Sequence, residues 1–358
     1  MTTTAQQTDA RFGRRKLLHT ALAGGSGLLY GAHKARAQNT SHPPAGMRPI
    51  GGPDGAHVTI AGPEGGELDN WARTLIPALS RFLSPTMPLR RSLAGGIDGV
   101  TGANQFTAQA PPDGTSALLV PGATVLAWQR GDPNVQFDVG RWIPVQAALV
   151  TTVIAGRISA AQLTRGQKLR VAVSGANGPE SAVLLGLELL GLQPIAVSGM
   201  IDAATAPLAF AQHTVDILLL RGPTIGTTLA AMGAQPLCVL GTPGADGTFN
   251  REPAFPDIPH LGELSGGFAD GRAAAAWRAV AIAAQLAVSL VLPPLAPTGA
   301  VAAWRRATAQ AAATPELLAI TTANAVQPHP NPDAIQTIIT NPEAVAAVRE
   351  WSAASQRR

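Results

Sequence analysis

The chain has 358 residues, with 26 Lys and Arg against 22 Asp and Glu and only 4% aromatic residues. Six of the basic residues and one acid, Asp9, fall within residues 1–37, so the rest of the chain holds 20 basic and 21 acidic residues, a net charge of −1. That balance offers no basic face, and the rings are too few for base stacking, so nucleic-acid binding is excluded. Cys238 is the single cysteine, which rules out an intramolecular disulfide.

The first segment reads as an export signal. A polar stretch ends in Arg14-Arg15-Lys16, a short Gly-rich apolar run follows over residues 17–31, and Ala35-Arg36-Ala37 forms a small-x-small cleavage site. Such a run is too short to cross a bilayer core of about 30 Å as a helix. The adjacent Arg14 and Arg15 point to the twin-arginine route, with cleavage after Ala37 and a periplasmic mature chain. A general secretory signal or an uncleaved anchor is the alternative. Residues 38–47 are a flexible lead-in, rich in Pro, Gly and Ser.

About 320 residues then remain, more than a single core usually serves, so two lobes are expected. His57 to Ala61 is a short β-rich run, and Leu68 to Leu83 has helical spacing with Trp71, Leu75, Ile76, Leu79 and Phe82 on one face. Ser116 to Val120 predicts a strand, and Val145 to Ala155 a further buried one. Lys168 to Val173 is a strand, Ser174 to Pro179 a tight loop, and Glu180 to Leu190 an amphipathic helix. Pro194 to Val197 and Val215 to Leu220 are strand-like, with a helix from Ala203 to Gln212 between them. Strands alternating with helices argue for parallel sheets in an α/β protein. Beyond Leu240 an irregular segment runs to about Pro259. The last part is helical: Gly271 to Leu292, whose apolar end from Ala279 reads as a buried helix, then Thr298 to Ala313, Pro315 to Ala323 and Pro342 to Ser355.

Catalytic signatures are missing. There is no G-x-S-x-G elbow, no phosphate-binding loop and no G-x-G-x-x-G after a strand. The histidines His19, His33, His42, His57, His213, His260 and His329 lack metal-ligand spacing, so no metal and no cofactor are expected. The carboxylate pairs Glu64/Glu67, Asp132/Asp138 and Asp246/Glu252 read as solvated loop charges. What recurs is a Gly-rich loop running into a helix, at Gly62 to Gly66 and at Ser174 to Gly178. The unpaired N–H groups and dipole of a helix start can hold a carboxylate or phosphate without a cationic side chain.

Taken in order, several segments resemble the substrate-binding proteins of tripartite tricarboxylate transporters, the Bug receptors. Gly65-Gly66-Glu67-Leu68-Asp69-Asn70-Trp71-Ala72-Arg73 is similar to that family's glycine loop and helix start. Ala94-Gly95-Gly96 with Gly99 and Gly102-Ala103 is similar to its glycine stretch, and Pro112-Asp113-Gly114-Thr115 before Leu118-Leu119-Val120 to its Pro-Asp-Gly-x-Thr motif. Ser174-Gly175-Ala176-Asn177-Gly178 stands at its second-lobe loop, Pro256-Asp257-Ile258-Pro259 resembles a further segment, and Pro294 to Thr298 with Pro315-Glu316 fits its C-terminal pattern. Glu64 and Glu67 stand where that family has small or polar residues, and Val197-Ser198-Gly199 replaces its Tyr-x-Gly.

The resemblance implies a type II-like, two-lobed α/β periplasmic binding fold, each lobe a mixed or parallel sheet flanked by helices, with a ligand cleft between lobes. It places residues 48–152 plus 256–358 in lobe one and 153–255 in lobe two. It implies a non-catalytic, monomeric receptor for a small carboxylate ligand, served by a membrane permease or a sensor. The expected contacts are Gly65, Gly66 and Asp69 from lobe one, with Ser174, Gly175, Asn177, Gly178 and Ser181 from lobe two. Asp69 is also read as a brace for its loop. The alternatives are a periplasmic enzyme on the same fold, which the twin-arginine signal would suit, or a binding fold used for sensing or scaffolding.

Overall fold

The computed structural model describes residues 55–83, 89–200, 204–244, 248–264, 271–355 and 357. The export signal at 1–37, with Arg14, Arg15, Ala35 and Ala37, and the lead-in at 38–47 lie outside these residues, as does Asp246.

The elements follow one another as strand and helix through the first half: β1 (His57–Ala61), α1 (Glu67–Leu83), β2 (Arg90–Ala94), α2 (Val100–Gln109), β3 (Ser116–Val120), α3 (Gly122–Arg130) and β4 (Ile143–Val150). Then come β5 (Thr152–Gly156), β6 (Lys168–Val173), α4 (Ser181–Leu189), β7 (Gln193–Ser198), α5 (Thr205–Ala211), β8 (Ile217–Arg221), α6 (Ile225–Met232) and β9 (Gln235–Val239). The chain closes with β10 (Thr242–Pro243), β11 (Phe249–Asn250), α7 (Leu261–Leu264), α8 (Arg272–Gln285), β12 (Leu286–Leu292), α9 (Thr298–Ala312), α10 (Pro315–Ala323), β13 (Val326–Pro328), α11 (Pro332–Ile339) and α12 (Pro342–Ser355).

Two mixed sheets carry the two lobes. The first has the order β13-β4-β12-β3-β1-β2 and the second β7-β6-β8-β5-β9. β1 runs parallel to β2 and β3, while β12 is antiparallel to both β3 and β4. In the second sheet β6 is parallel to β7 and β8, and β5 is antiparallel to β8 and β9. The chain passes from one sheet to the other at Thr151, a single residue between β4 and β5, whose N–H donates to Ala325 O and whose carbonyl accepts from Gly222 N.

Two departures from the sequence reading have clear causes. Gly271 to Leu292 is not one helix: α8 ends at Gln285 and Leu286–Leu292 is a strand. All seven residues of β12 are buried, because the strand lies between β3 and β4 and is covered on both faces. A fully buried strand is a continuous apolar run, and periodicity cannot separate it from a buried helix. The Gln285 amide marks the break, donating to Ala281 O and across to Gly241 O.

Glu252 is the second correction. It is not a solvated loop charge but only 4% exposed, beside Thr151 at the crossover. It lines a cavity of about 270 Å³ with Thr151, Thr242, Gln285 and His329. Burial pushes its carboxyl above the ordinary range, and the Thr151 hydroxyl, the Ala254 N–H and the Thr242 hydroxyl offset this only in part. A raised native pKa means the folded state holds the proton more tightly than the unfolded chain. The stabilisation is full at low pH and is lost as pH rises through the raised value. Glu252→Gln, which keeps the shape and removes the charge, should therefore raise the thermal midpoint at pH 7.5. The expected rise is on the order of 2 °C, the response of a chain this large to about 1 kcal/mol. The variant should also flatten the stability gain expected of the parent chain as pH falls from 7.5 toward the ordinary carboxyl range. Calorimetry over that range checks both, and an unchanged slope in the variant would refute the assignment.

No helix among the described residues is long and apolar enough to cross a membrane.

Candidate functional site

A cavity of about 690 Å³ opens between the two sheets. One wall comes from the first sheet: Glu67 after β1, Ile97 and Asp98 after β2, and Pro121, Gly122 and Ala123 after β3. The opposite wall is the loop Ser174 to Pro179 after β6, with Arg221 at the end of β8. Leu126, Ala283, Ala284, Leu286 and Ala287 complete the lining. The wall residues thus follow the carboxyl ends of parallel strands, where open α/β sheets hold their ligands.

Gly122 is required by this geometry. A Cβ there would stand 2.1 Å from Ala283 O and 2.9 Å from Leu286 O, so only glycine lets the start of α3 approach the α8–β12 junction. The Pro112-Asp113-Gly114-Thr115 turn has a structural task away from the cavity. Asp113 accepts from the Thr115 N–H at 2.8 Å and hydroxyl at 2.6 Å, Gly114 takes a positive φ of 82°, and its carbonyl accepts from Trp304 Nε1 at 2.9 Å.

The eight residues expected to touch ligand divide evenly. Ser174, Gly175, Asn177 and Gly178 line the cavity; Gly65, Gly66, Asp69 and Ser181 do not. The Gly65 N–H donates to Asp69 Oδ2 at 3.0 Å, and the Gly66 N–H to Pro63 O at 3.2 Å, so neither is left for a ligand. Asp69 has no exposed side-chain surface and also accepts from Arg73 Nη2 at 2.8 Å and Arg91 Nη1 at 2.5 Å. It braces the loop from beneath. Ser181 is buried, donating to Gly178 O at 2.9 Å and accepting from Arg130 Nη1 at 2.9 Å.

The second-lobe loop is held by its own polar groups. Ser174 Oγ donates to Glu180 Oε2 at 2.8 Å, and Asn177 Nδ2 donates to Asp132 Oδ2, in the loop after α3, at 2.7 Å. Burial works against ionisation of Asp132. The Asn134 N–H and the Asn177 and Asn134 side chains outweigh it and hold the carboxyl below its usual range.

Arg221 lies outside the set expected from sequence. It is exposed at the cleft end of β8, and the carboxylates of Glu67 and Glu180 lie near enough to favour its charged form. The sequence does contain a signal for it: a lone arginine ending the apolar run Ile217-Leu218-Leu219-Leu220, followed by Gly222-Pro223. A charge at the carboxyl end of an otherwise apolar strand is where a ligand crevice would use one. Among the described residues, no group of three or more His, Cys, Asp or Glu is placed to hold a metal ion. Cys238 is buried, and burial pushes its thiol up, so it is a packing residue rather than a nucleophile.

No protein-family model matches the chain, and no curated protein matches it. Solved structures do. A TctC solute-binding protein from Polaromonas superposes with a TM-score of 0.63 at 15% identity, over 82% of this chain and 96% of that one. MatC from Rhodopseudomonas palustris, with bound malate, gives 0.54 at 18% identity, over 83% and 98%. An R. palustris protein with adipate gives 0.55 at 16% identity, over 83% and 97%. The chain is therefore built on the two-lobed α/β fold of these periplasmic solute-binding proteins.

Proposed function

We propose that this chain is a periplasmic solute-binding receptor that captures a small carboxylate-bearing metabolite in the cleft and delivers it to a membrane permease or a sensor. The observation that carries the proposal is the cavity of about 690 Å³ between the sheets, with Arg221 and the Ser174–Gly178 loop on one wall. A cation and a loop of small polar residues match what a carboxylate needs: charge, and hydrogen bonds of adjustable direction. The carboxylates bound to two of the similar structures, malate and adipate, support the reading. So does the nature of a cleft between lobes, which can close over a ligand from both sides. In this reading residues 48–152 with 256–358 form one lobe and 153–255 the other. Ser174, Gly175, Asn177 and Gly178 contact ligand, and the protein acts as a monomer without catalysis.

A thermal-shift and calorimetric screen of the chain against small mono-, di- and amino-carboxylates tests this. A ligand at a hundred times its dissociation constant adds about 2.7 kcal/mol of stability. Asn177→Ala, which removes a lining side chain and its bond to Asp132, should lower affinity for the same ligand by roughly tenfold, the loss of about one charge-assisted hydrogen bond. No stabilisation by any compound in the screen would overturn the receptor reading.

A further inference from the structure

The charges around the cleft narrow the ligand further. Glu67, Asp98 and Arg221 are the Asp, Glu, Lys and Arg side chains of the lining, so the described wall carries a net charge of −1. Glu180 adds a fourth charge just behind it, held by Ser174. Glu67 belongs to the first sheet's wall and Arg221 to the second's. Among the described residues no hydrogen bond or ion pair engages the Arg221 guanidinium; it is exposed and, with the carboxylates of Glu67 and Glu180 nearby, stays charged to meet an incoming anion. The Asp98 carboxylate is partly occupied by the Val100 N–H, and Glu67 is solvent-exposed. A ligand with two carboxylates would satisfy Arg221 with one end and set the other against Glu67 and Asp98. A ligand with one carboxylate and one cationic nitrogen meets an opposite charge at both ends.

We propose that the cleft selects a small zwitterion, with its carboxylate on Arg221 and the Ser174–Asn177 loop and its ammonium toward Glu67 and Asp98. This rests on the receptor reading and assigns the ligand class for that same cleft. No bond is made or broken, and the selection is electrostatic. Like charges across a binding site penalise the wrong partner while unlike charges orient the right one.

The test is isothermal calorimetry on the full chain with length-matched pairs: glutarate against 4-aminobutyrate, and adipate against 6-aminohexanoate, with L-glutamate and L-lysine added. The expected result is that at least one aminocarboxylate binds tenfold or more tightly than the dicarboxylate of equal length. Glu67→Gln should cut that ratio several-fold by weakening the zwitterion and strengthening the dicarboxylate. Tighter or equal binding of the dicarboxylate would overturn the zwitterion assignment and leave the receptor reading standing. A ratio untouched by Glu67→Gln would overturn it as well, since the wall charge would then not be read. Failure of all six compounds to bind would overturn both readings.

Discussion

Trp277→Ala should cost the folded chain about 3–5 kcal/mol, the range found when a fully buried tryptophan is truncated and its cavity cannot close. Trp277 lies on α8 and is only 1% exposed. Its Nε1 donates to Ala182 O at the start of α4, 3.2 Å away, and its ring centroid lies 5.6 Å from that of Phe249. Gly186 of α4 faces it: a Cβ there would stand 2.9 Å from Trp277 Nε1, so the glycine is what admits the ring. Trp351 of α12 reaches the same helix, donating from Nε1 to Glu188 Oε2 at 2.9 Å. α4 belongs to the second sheet's run and α8 leads into β12 of the first, so this packing ties the two together. Closely packed surroundings relax little around a deleted ring. Urea unfolding followed by fluorescence and circular dichroism should show the midpoint falling with the slope unchanged. A loss below about 1 kcal/mol would mean the helices re-close over the gap. Because α8 also supplies Ala283 and Ala284 to the cleft, the same variant should lose much of any ligand-induced stabilisation.

How much of this was legible in the sequence follows from what each element buries. Strands bounded by turn residues and followed by amphipathic helices, such as Lys168–Val173 before Ser181–Leu189, announce themselves by a change of period. β12 did not, because it is covered on both faces and has no polar alternation to betray it. β2, with the pattern Arg90-Arg91-Ser92-Leu93-Ala94, failed for the opposite reason: it is an edge strand, exposed over four of its five residues, and its composition resembles a loop. The Gly-rich loops were visible, yet visibility did not separate a loop that lines the cleft from one that braces itself. The Ser174–Gly178 loop lines the cleft, while the N–H groups of Gly65 and Gly66 are engaged within their own turn. Arg221 and Glu252 show the larger limit. One stands in the cleft and the other is buried at the crossover. Local sequence cannot tell a charged residue which surroundings distant segments will build around it.

Asp69→Ala should destabilise by about 2–3 kcal/mol at neutral pH, and the penalty should vanish in acid. The carboxylate has no exposed surface of its own but lies shallowly, under two arginines whose side chains are 49% and 38% exposed. Removing one partner of a deeply buried ion pair costs about 3–5 kcal/mol because the other charge is stranded. Arg73 and Arg91 can instead turn into water, so the loss reduces to the charge-assisted hydrogen bonds themselves, at about 1.5–3 kcal/mol. The Gly65 N–H bond is the main cause of the lowered carboxyl pKa; burial opposes it, and the Arg73 hydrogen bond and the charges of Arg73 and Arg91 restore it. A native pKa below the unfolded value of 3.8 means that the stabilisation is complete above that value. It disappears as pH falls through the lower native one. The parent and variant stability curves should therefore run parallel from pH 7 to pH 5 and converge only below about pH 4. Curves that converge near neutrality would assign the acid sensitivity to another group. Without its brace the Gly62–Gly66 turn should also exchange its amide protons faster, Gly65 first, because the bond to Asp69 is the one holding that N–H. Glu67 leaves the same turn to enter the cleft wall, so ligand affinity should fall along with stability.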